Sequence, residues 1–253
     1  MEQPLNLPPA QAGHAWWCHA NLATAGALRR RFETATDADD YRDRLGMAQV
    51  RSLSGRALLR GLLHQQLGAW WSHAPVTHLA SGAPILPDLP GCTINVSHSG
   101  DQVAAAACPG VPVGIDIEWV DVNFGMAPVA RRFFHPREVR ALARMPAQLQ
   151  RTAFFAWWAA KEAVAKCLQQ GLTLPLASFV IPNPLGAGPA LGLETPVWVV
   201  ALPAPPGYRA ALAWQGHCRS LPGLAQVDPL QVLQQPSSSK QPIATHTRKG
   251  APR

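Results

Sequence analysis

The chain has 253 residues, 47% hydrophobic and 15% charged, which excludes a wholly disordered chain and allows one large or two small domains. No apolar run approaches the ~18 residues of a membrane span, and MEQPLNLPPAQAGHAWW lacks a basic-then-apolar leader, so a cytoplasmic protein is expected. Of the net charge of +7, four charges lie after Pro229 (Lys240, Arg248, Lys249, Arg253); the +3 that remains suits an anionic ligand or an acidic protein better than nucleic acid or a membrane.

In chain order, the paired Trp16 and Trp17 predict a first strand. From Leu28 to about Leu67 the spacing is helical, with Val50, Leu53, Ala57 and Leu58 on one side and Arg42, Arg44, Arg51, Arg56 and Arg60 opposite. The Pro- and Gly-rich stretch 75–90 reads as loop. Strands are predicted at Thr93–Ser97, Val103–Ala107 and Val113–Trp119. Pro136 at a first helical position, with Glu138 in the same turn, starts a helix. A longer helix is predicted from about Gln148 to Gln170, stopped by Gly171, with Leu149, Ala153, Trp157, Ala160, Val164 and Leu168 as its apolar stripe. GLTLPLASFVI, PVWVVAL and YRAALAW read as strands of a second sheet, and 228–253 as a basic tail without structure. The expected architecture is α+β, in two similar halves (1–112 and 113–227).

Five cysteines (Cys18, Cys92, Cys108, Cys167, Cys218) are scattered without a C-x-x-C, which predicts reduced, buried thiols. On the strand VGIDIEW, alternation puts Gly114, Asp116 and Glu118 on one face. Two carboxylates about 6.5–7 Å apart at Cα can lean onto one hard cation such as Mg²⁺; alone, the same pattern is also an ordinary polar strand face. In FFAWWAAKEAVAKC, Trp158, Glu162 and Lys166 recur at four and share a stripe, which makes Glu162 a third carboxylate and sets Lys166 to meet a phosphate. Asn95-Val-Ser97-His98-Ser99-Gly100 closes a strand with donors suited to an oxyanion.

Together INVSHSG, VGIDIE, FFHPREVRAL, FFAWWAAKEAVAK and GLTLPLASF resemble the 4'-phosphopantetheinyl transferases of the larger, Sfp-like pseudo-dimeric class, over about residues 28–215. The resemblance implies transfer of phosphopantetheine from coenzyme A to a serine of an acyl, peptidyl or aryl carrier protein, with release of adenosine 3',5'-bisphosphate. It implies an active site between the halves. Asp116, Glu118 and Glu162 match the Mg²⁺ ligands, and Lys166, with Lys161 close by, the pyrophosphate contact. Ser97, His98 and Arg51 match residues at the coenzyme's phosphates, with Glu162 and Lys166 catalytic. One departure stands out: many members carry Gly-Lys-Pro where this chain has Gly82-Ala83-Pro84, one cation fewer. A monomer is expected, with coenzyme A and an acidic, helical carrier as partners, the carrier steered by the Arg42–Arg60 face. A metal-dependent nuclease and a silent coenzyme A binder are the alternatives.

Overall fold

The computed structural model describes residues 14–216, 223–229 and 231–234; the segment expected as a tail from 235 on, and Cys218, lie outside them. Strand β1 (His14–Asn21) runs directly into helix α1 (Leu22–Phe32), whose first turn is capped by the Asn21 side chain accepting from Thr24 N at 2.8 Å. The helical pattern expected without a break from Leu28 to Leu67 is in fact divided. A capping box between Thr34 and Asp37 starts a separate helix α2 (Ala35–Asp40), and Gly46, at φ +57°, precedes α3 (Met47–Leu67).

That division changes the fate of the arginines. Asp37, at 1% exposure, accepts from Arg60 Nε (2.7 Å) and Nη2 (2.8 Å), and Arg60 Nη1 donates to the carbonyls of Ser72 and Ala74. Arg56 and Arg60, expected on a polar face, are therefore buried; Arg56 donates to the Tyr41 hydroxyl and lies 3.5 Å from Asp37. Of the other three arginines expected on that face, Arg42 and Arg44 are exposed and Arg51 is half-buried.

Short strands β2 (Thr77–His78) and β3 (Pro84–Ile85) lead to β4 (Cys92–Ser99) and β5 (Gln102–Pro109). They form a six-stranded sheet with β1 and β10 (Gly223–Gln226) in the order β10-β1-β5-β4-β3-β2, with β10 parallel to β1 and the other pairs antiparallel. Strand β6 (Val113–Trp119) begins a second, antiparallel sheet in the order β6-β9-β8-β7, with β7 at Ala187–Ala190, β8 at Val197–Leu202 and β9 at Tyr208–Gln215. Helices α4 (Met126–Phe133), α5 (Pro136–Arg144) and α6 (Ala147–Cys167) cover it.

The sequence alternation builds four layers, helices–sheet–sheet–helices. Trp16, Cys18, Ala105 and Ala107 face α1 and α3; Ala211 and Ala213 face α6. Between the sheets lie Trp17, Ala104, Ala106, Val113, Ile115, Ile117, Ala210, Leu212 and Trp214. Strand β5 is buried on both faces, which explains a run of four alanines where one-sided strands alternate.

Three expectations are corrected. GLTLPLASFVI is not a strand: it makes two short 3₁₀ turns (Gly171–Thr173 and Leu176–Ser178) and one isolated bridge, Val180 to Leu191. Helix α6 ends at Cys167, not Gln170: Gln169, at φ +55°, is the left-handed residue that terminates it, and Gly171, also left-handed at φ +53°, starts the 3₁₀ turn that follows. Leu149, placed on the apolar stripe, is 53% exposed. The last part of the chain also differs from the expected division. Strand β10, within 113–227, joins the first sheet, and 228–234 is not featureless: α7 (Gln231–Gln234) packs Leu233 against the first core.

Candidate active site

Strand β4 alternates Ile94, Val96 and His98 toward the α3 side with Asn95, Ser97 and Ser99 toward β6. In the layer between the sheets, the apolar filling thus gives way to polar groups along β4. Asn95 Oδ1 accepts from Ile115 N at 3.2 Å, Ser97 Oγ donates to Asp116 Oδ1 at 2.6 Å, and Ser99 Oγ donates to Glu118 Oε2 at 2.8 Å. The sequence offers Asn95 and Ser99 only as members of a turn suited to an oxyanion; in the structure they hold the β6 backbone and Glu118 instead.

From the opposite side, α6 is brought down onto β6 by Gly114. A Cβ there would stand 2.2 Å from the Ala163 carbonyl oxygen and 2.4 Å from Cys167 N, so only glycine permits this approach. The expected stripe then reaches the strand. Trp158 Nε1 donates to Glu118 Oε1 at 3.0 Å, and Lys166 Nζ to Asp116 Oδ1 at 2.7 Å and to the Ile115 carbonyl at 3.3 Å.

The electrostatics are those of crowded acids. Burial, then the charge of Asp116, pushes Glu118 up to about 8, against the opposing hydrogen bonds from Ser99 and Trp158 and the charge of Lys166. Burial and Asp116 raise Glu162 as well, and Lys166 opposes. Asp116 Oδ2 is buried without a hydrogen-bond partner. Among the described residues no group of three or more His, Cys, Asp and Glu side chains is arranged to hold a metal ion. The donor chemistry nonetheless fits a hard divalent cation: oxygen ligands, one of them orphaned, and mutual repulsion that added positive charge would relieve.

His98 and Arg51 both belong to the α3 side. Arg51 Nε donates to the Gly100 carbonyl at 2.8 Å, at the turn where β4 ends. Desolvation lowers the pKa of His98, and the positive charges of Lys166, Arg51 and Arg44 act in the same direction. Ser97, in contrast, points to Asp116 and not to that side.

Lys161 is the correction. Expected beside the phosphates, it is fully buried: Nζ lies 2.9 Å from Glu138 Oε2 and donates to the carbonyls of Leu176 (2.7 Å) and Phe179 (2.8 Å). Glu138 also accepts from His135 N (2.8 Å) and Ile181 N (2.7 Å). The adjacent positions 161 and 162 lie about 100° apart on a helix, so one meets the core when the other meets the site.

A sequence profile described as the 4'-phosphopantetheinyl transferase superfamily matches residues 112–212, which hold β6, α6 and both groups of site residues on them. The chain is 34% identical over 129 residues to the 4'-phosphopantetheinyl transferase psf-1 of Bacillus pumilus, covering 51% of this chain and 54% of that one. It is 31% identical over 166 residues to ffp of Bacillus subtilis and over 165 residues to Sfp of Bacillus subtilis strain 168, covering 64% of this chain and 72% of each of those. The chain belongs to the 4'-phosphopantetheinyl transferase family. It spans about half the length of psf-1 and nearly three quarters of ffp and Sfp.

Proposed function

We propose that the protein transfers the 4'-phosphopantetheine group from coenzyme A to a serine hydroxyl of an apo-carrier protein, in a Mg²⁺-dependent reaction that releases adenosine 3',5'-bisphosphate. The observation that carries this reading is the meeting of Asp116, Glu118, Trp158 and Lys166 across β6 and α6, with an Asp116 oxygen left without a partner. Asp116, Glu118 and Glu162 would hold the cation, which supplies charge neutralisation for the pyrophosphate.

The chain's own groups account for the rest. Lys166, part-exposed beside Asp116, stabilises charge that develops on the leaving phosphate. Glu162, raised by burial, is the better base for it and takes the serine proton directly or through water. Arg51 and His98 bind the phosphate end of the coenzyme, and Ser97 holds Asp116 in place. Ser99 and the Trp158 indole do the same for Glu118. Orientation and charge compensation, with no covalent enzyme intermediate, suffice for such a transfer.

The architecture supports a pseudo-dimer with its site in the cleft. Each half packs a 21-residue helix, α3 or α6, on its own sheet, and Asp116 and Glu118 on β6 accept from Ser97 and Ser99 on β4, across the two halves. The halves are then 14–112 and 113–216. A reducing compartment such as the cytoplasm fits the four free, buried cysteines Cys18, Cys92, Cys108 and Cys167. Neither a nuclease nor a silent binder draws support from the relatives. The test is incubation with coenzyme A, Mg²⁺ and a panel of acyl, peptidyl and aryl apo-carriers, read by intact mass. A gain of one phosphopantetheine on any carrier is expected; no gain on any of them, with coenzyme A unconsumed, overturns the reading.

A further inference from the structure

We infer that the Tyr208 hydroxyl is a positioning group: it clasps the turn between β4 and β5 and thereby sets where Arg51 and His98 stand relative to the carboxylates of β6. The kinetic consequence rests on the function proposed above; the clasp itself rests on geometry.

The turn consists of Gly100 and Asp101, since Ser99 pairs with Gln102 in the β4–β5 register. Tyr208 comes from the other sheet, where it pairs with Trp119 on β6, one residue beyond Glu118. Its hydroxyl donates to Asp101 Oδ1 at 2.5 Å and accepts from Asp101 N at 3.1 Å. Gln102 Nε2 donates to the same carboxylate oxygen at 3.2 Å, and the Asp101 carbonyl accepts from Leu22 N at 2.8 Å, at the start of α1. Arg51 Nε is bound to the Gly100 carbonyl. One two-residue turn is thus tied to α1, to α3 and to the second sheet.

The fit leaves no slack. Gly100 has φ +56°, and a Cβ on it would stand 2.3 Å from the Tyr208 oxygen and 3.3 Å from Trp119 Cβ. The turn therefore lies directly on the hydroxyl that holds it. His98, two residues before Gly100, and Arg51, bound to its carbonyl, inherit their position from this contact. Glu118 inherits its position from β6, to which Tyr208 is paired. Tyr208 thus joins the phosphate-facing groups to the acids, and its hydroxyl touches neither substrate nor metal in this role.

Tyr208→Phe keeps the ring and its packing and removes only the clasp. In the full-length protein, amide exchange at Asp101 should rise about tenfold with little change in melting temperature. The KM for coenzyme A should rise about three- to tenfold while kcat falls less. Gly100→Ala is the second variant: its methyl group meets the Tyr208 oxygen, but in the Tyr208→Phe background that oxygen is gone, so the two losses should be less than additive. Unchanged Asp101 exchange in Tyr208→Phe overturns the clasp. Faster exchange with an unchanged KM overturns the positioning role, as do strictly additive losses. A wild-type protein that fails to bind coenzyme A overturns the function proposed above, and Asp101 exchange then still decides the clasp.

Discussion

Glu118 and Lys161 show how differently two charged groups can be buried. Glu118 sits among acids and is pushed up to about 8, so its ionised form is a cost to the fold that an added cation would offset. Glu118→Gln should therefore leave the melting temperature unchanged or slightly higher at pH 8, while transfer activity drops by about a hundredfold or more if this oxygen serves the cation. Matched thermal melts and carrier-modification rates check both halves of that expectation. Lys161 is satisfied by Glu138 and two carbonyls, and removing it strands a buried carboxylate. Lys161→Met should cost about 3–5 kcal/mol in denaturant unfolding. It should leave the KM for coenzyme A of the folded fraction near wild type, which a phosphate-binding lysine would not.

Helix α6 and strand β6 depend on each other through Gly114, and that pairing was largely readable in advance. The alternation of VGIDIEW and the four-residue spacing of Trp158, Glu162 and Lys166 were enough to anticipate one shared face. The depth of contact was not readable, since nothing local says that residue 114 lies against the Ala163 carbonyl. Gly114→Ala should cost about 1–3 kcal/mol or more and lift Glu162 and Lys166 away from Asp116, seen as a lower melting temperature together with lost activity. The first half was less legible for the same reason. Helical spacing from Leu28 to Leu67 cannot reveal that α2 turns aside so that Asp37 receives Arg60. That pair has its own signature. Burial would raise the Asp37 carboxyl, but the Arg60 hydrogen bonds and charge, with Thr34, outweigh it and leave the pKa below its ordinary value. A depressed folded pKa stabilises above the unfolded value near 3.8 and is lost as pH falls through the folded one. Asp37→Asn should accordingly flatten the acid limb of the stability curve below about pH 4, as followed by circular dichroism.

At the scale of the whole molecule, charge and connectivity matter most. On the function proposed above, the net +3 that the chain carries apart from its last residues, with Arg42 and Arg44 exposed near α3, would favour encounter with an acidic carrier. Burial of Arg56 and Arg60 removes two of the arginines first expected to steer it. Apparent KM for the carrier should still rise with ionic strength while kcat changes little; salt-independent kinetics would point to an apolar docking surface. The other global feature is the parallel pairing of β10 with β1, which makes the second sheet and its helices an excursion between two strands of the first. During synthesis β1 emerges early, but its outer neighbour is more than 200 residues behind it on the ribosome. Until then a nascent chain carries an open strand edge beside a nearly finished sheet, a template for pairing with other chains. Chaperone dependence should therefore fall on translation intermediates that lack residues 223–226, even where both cores are already in place.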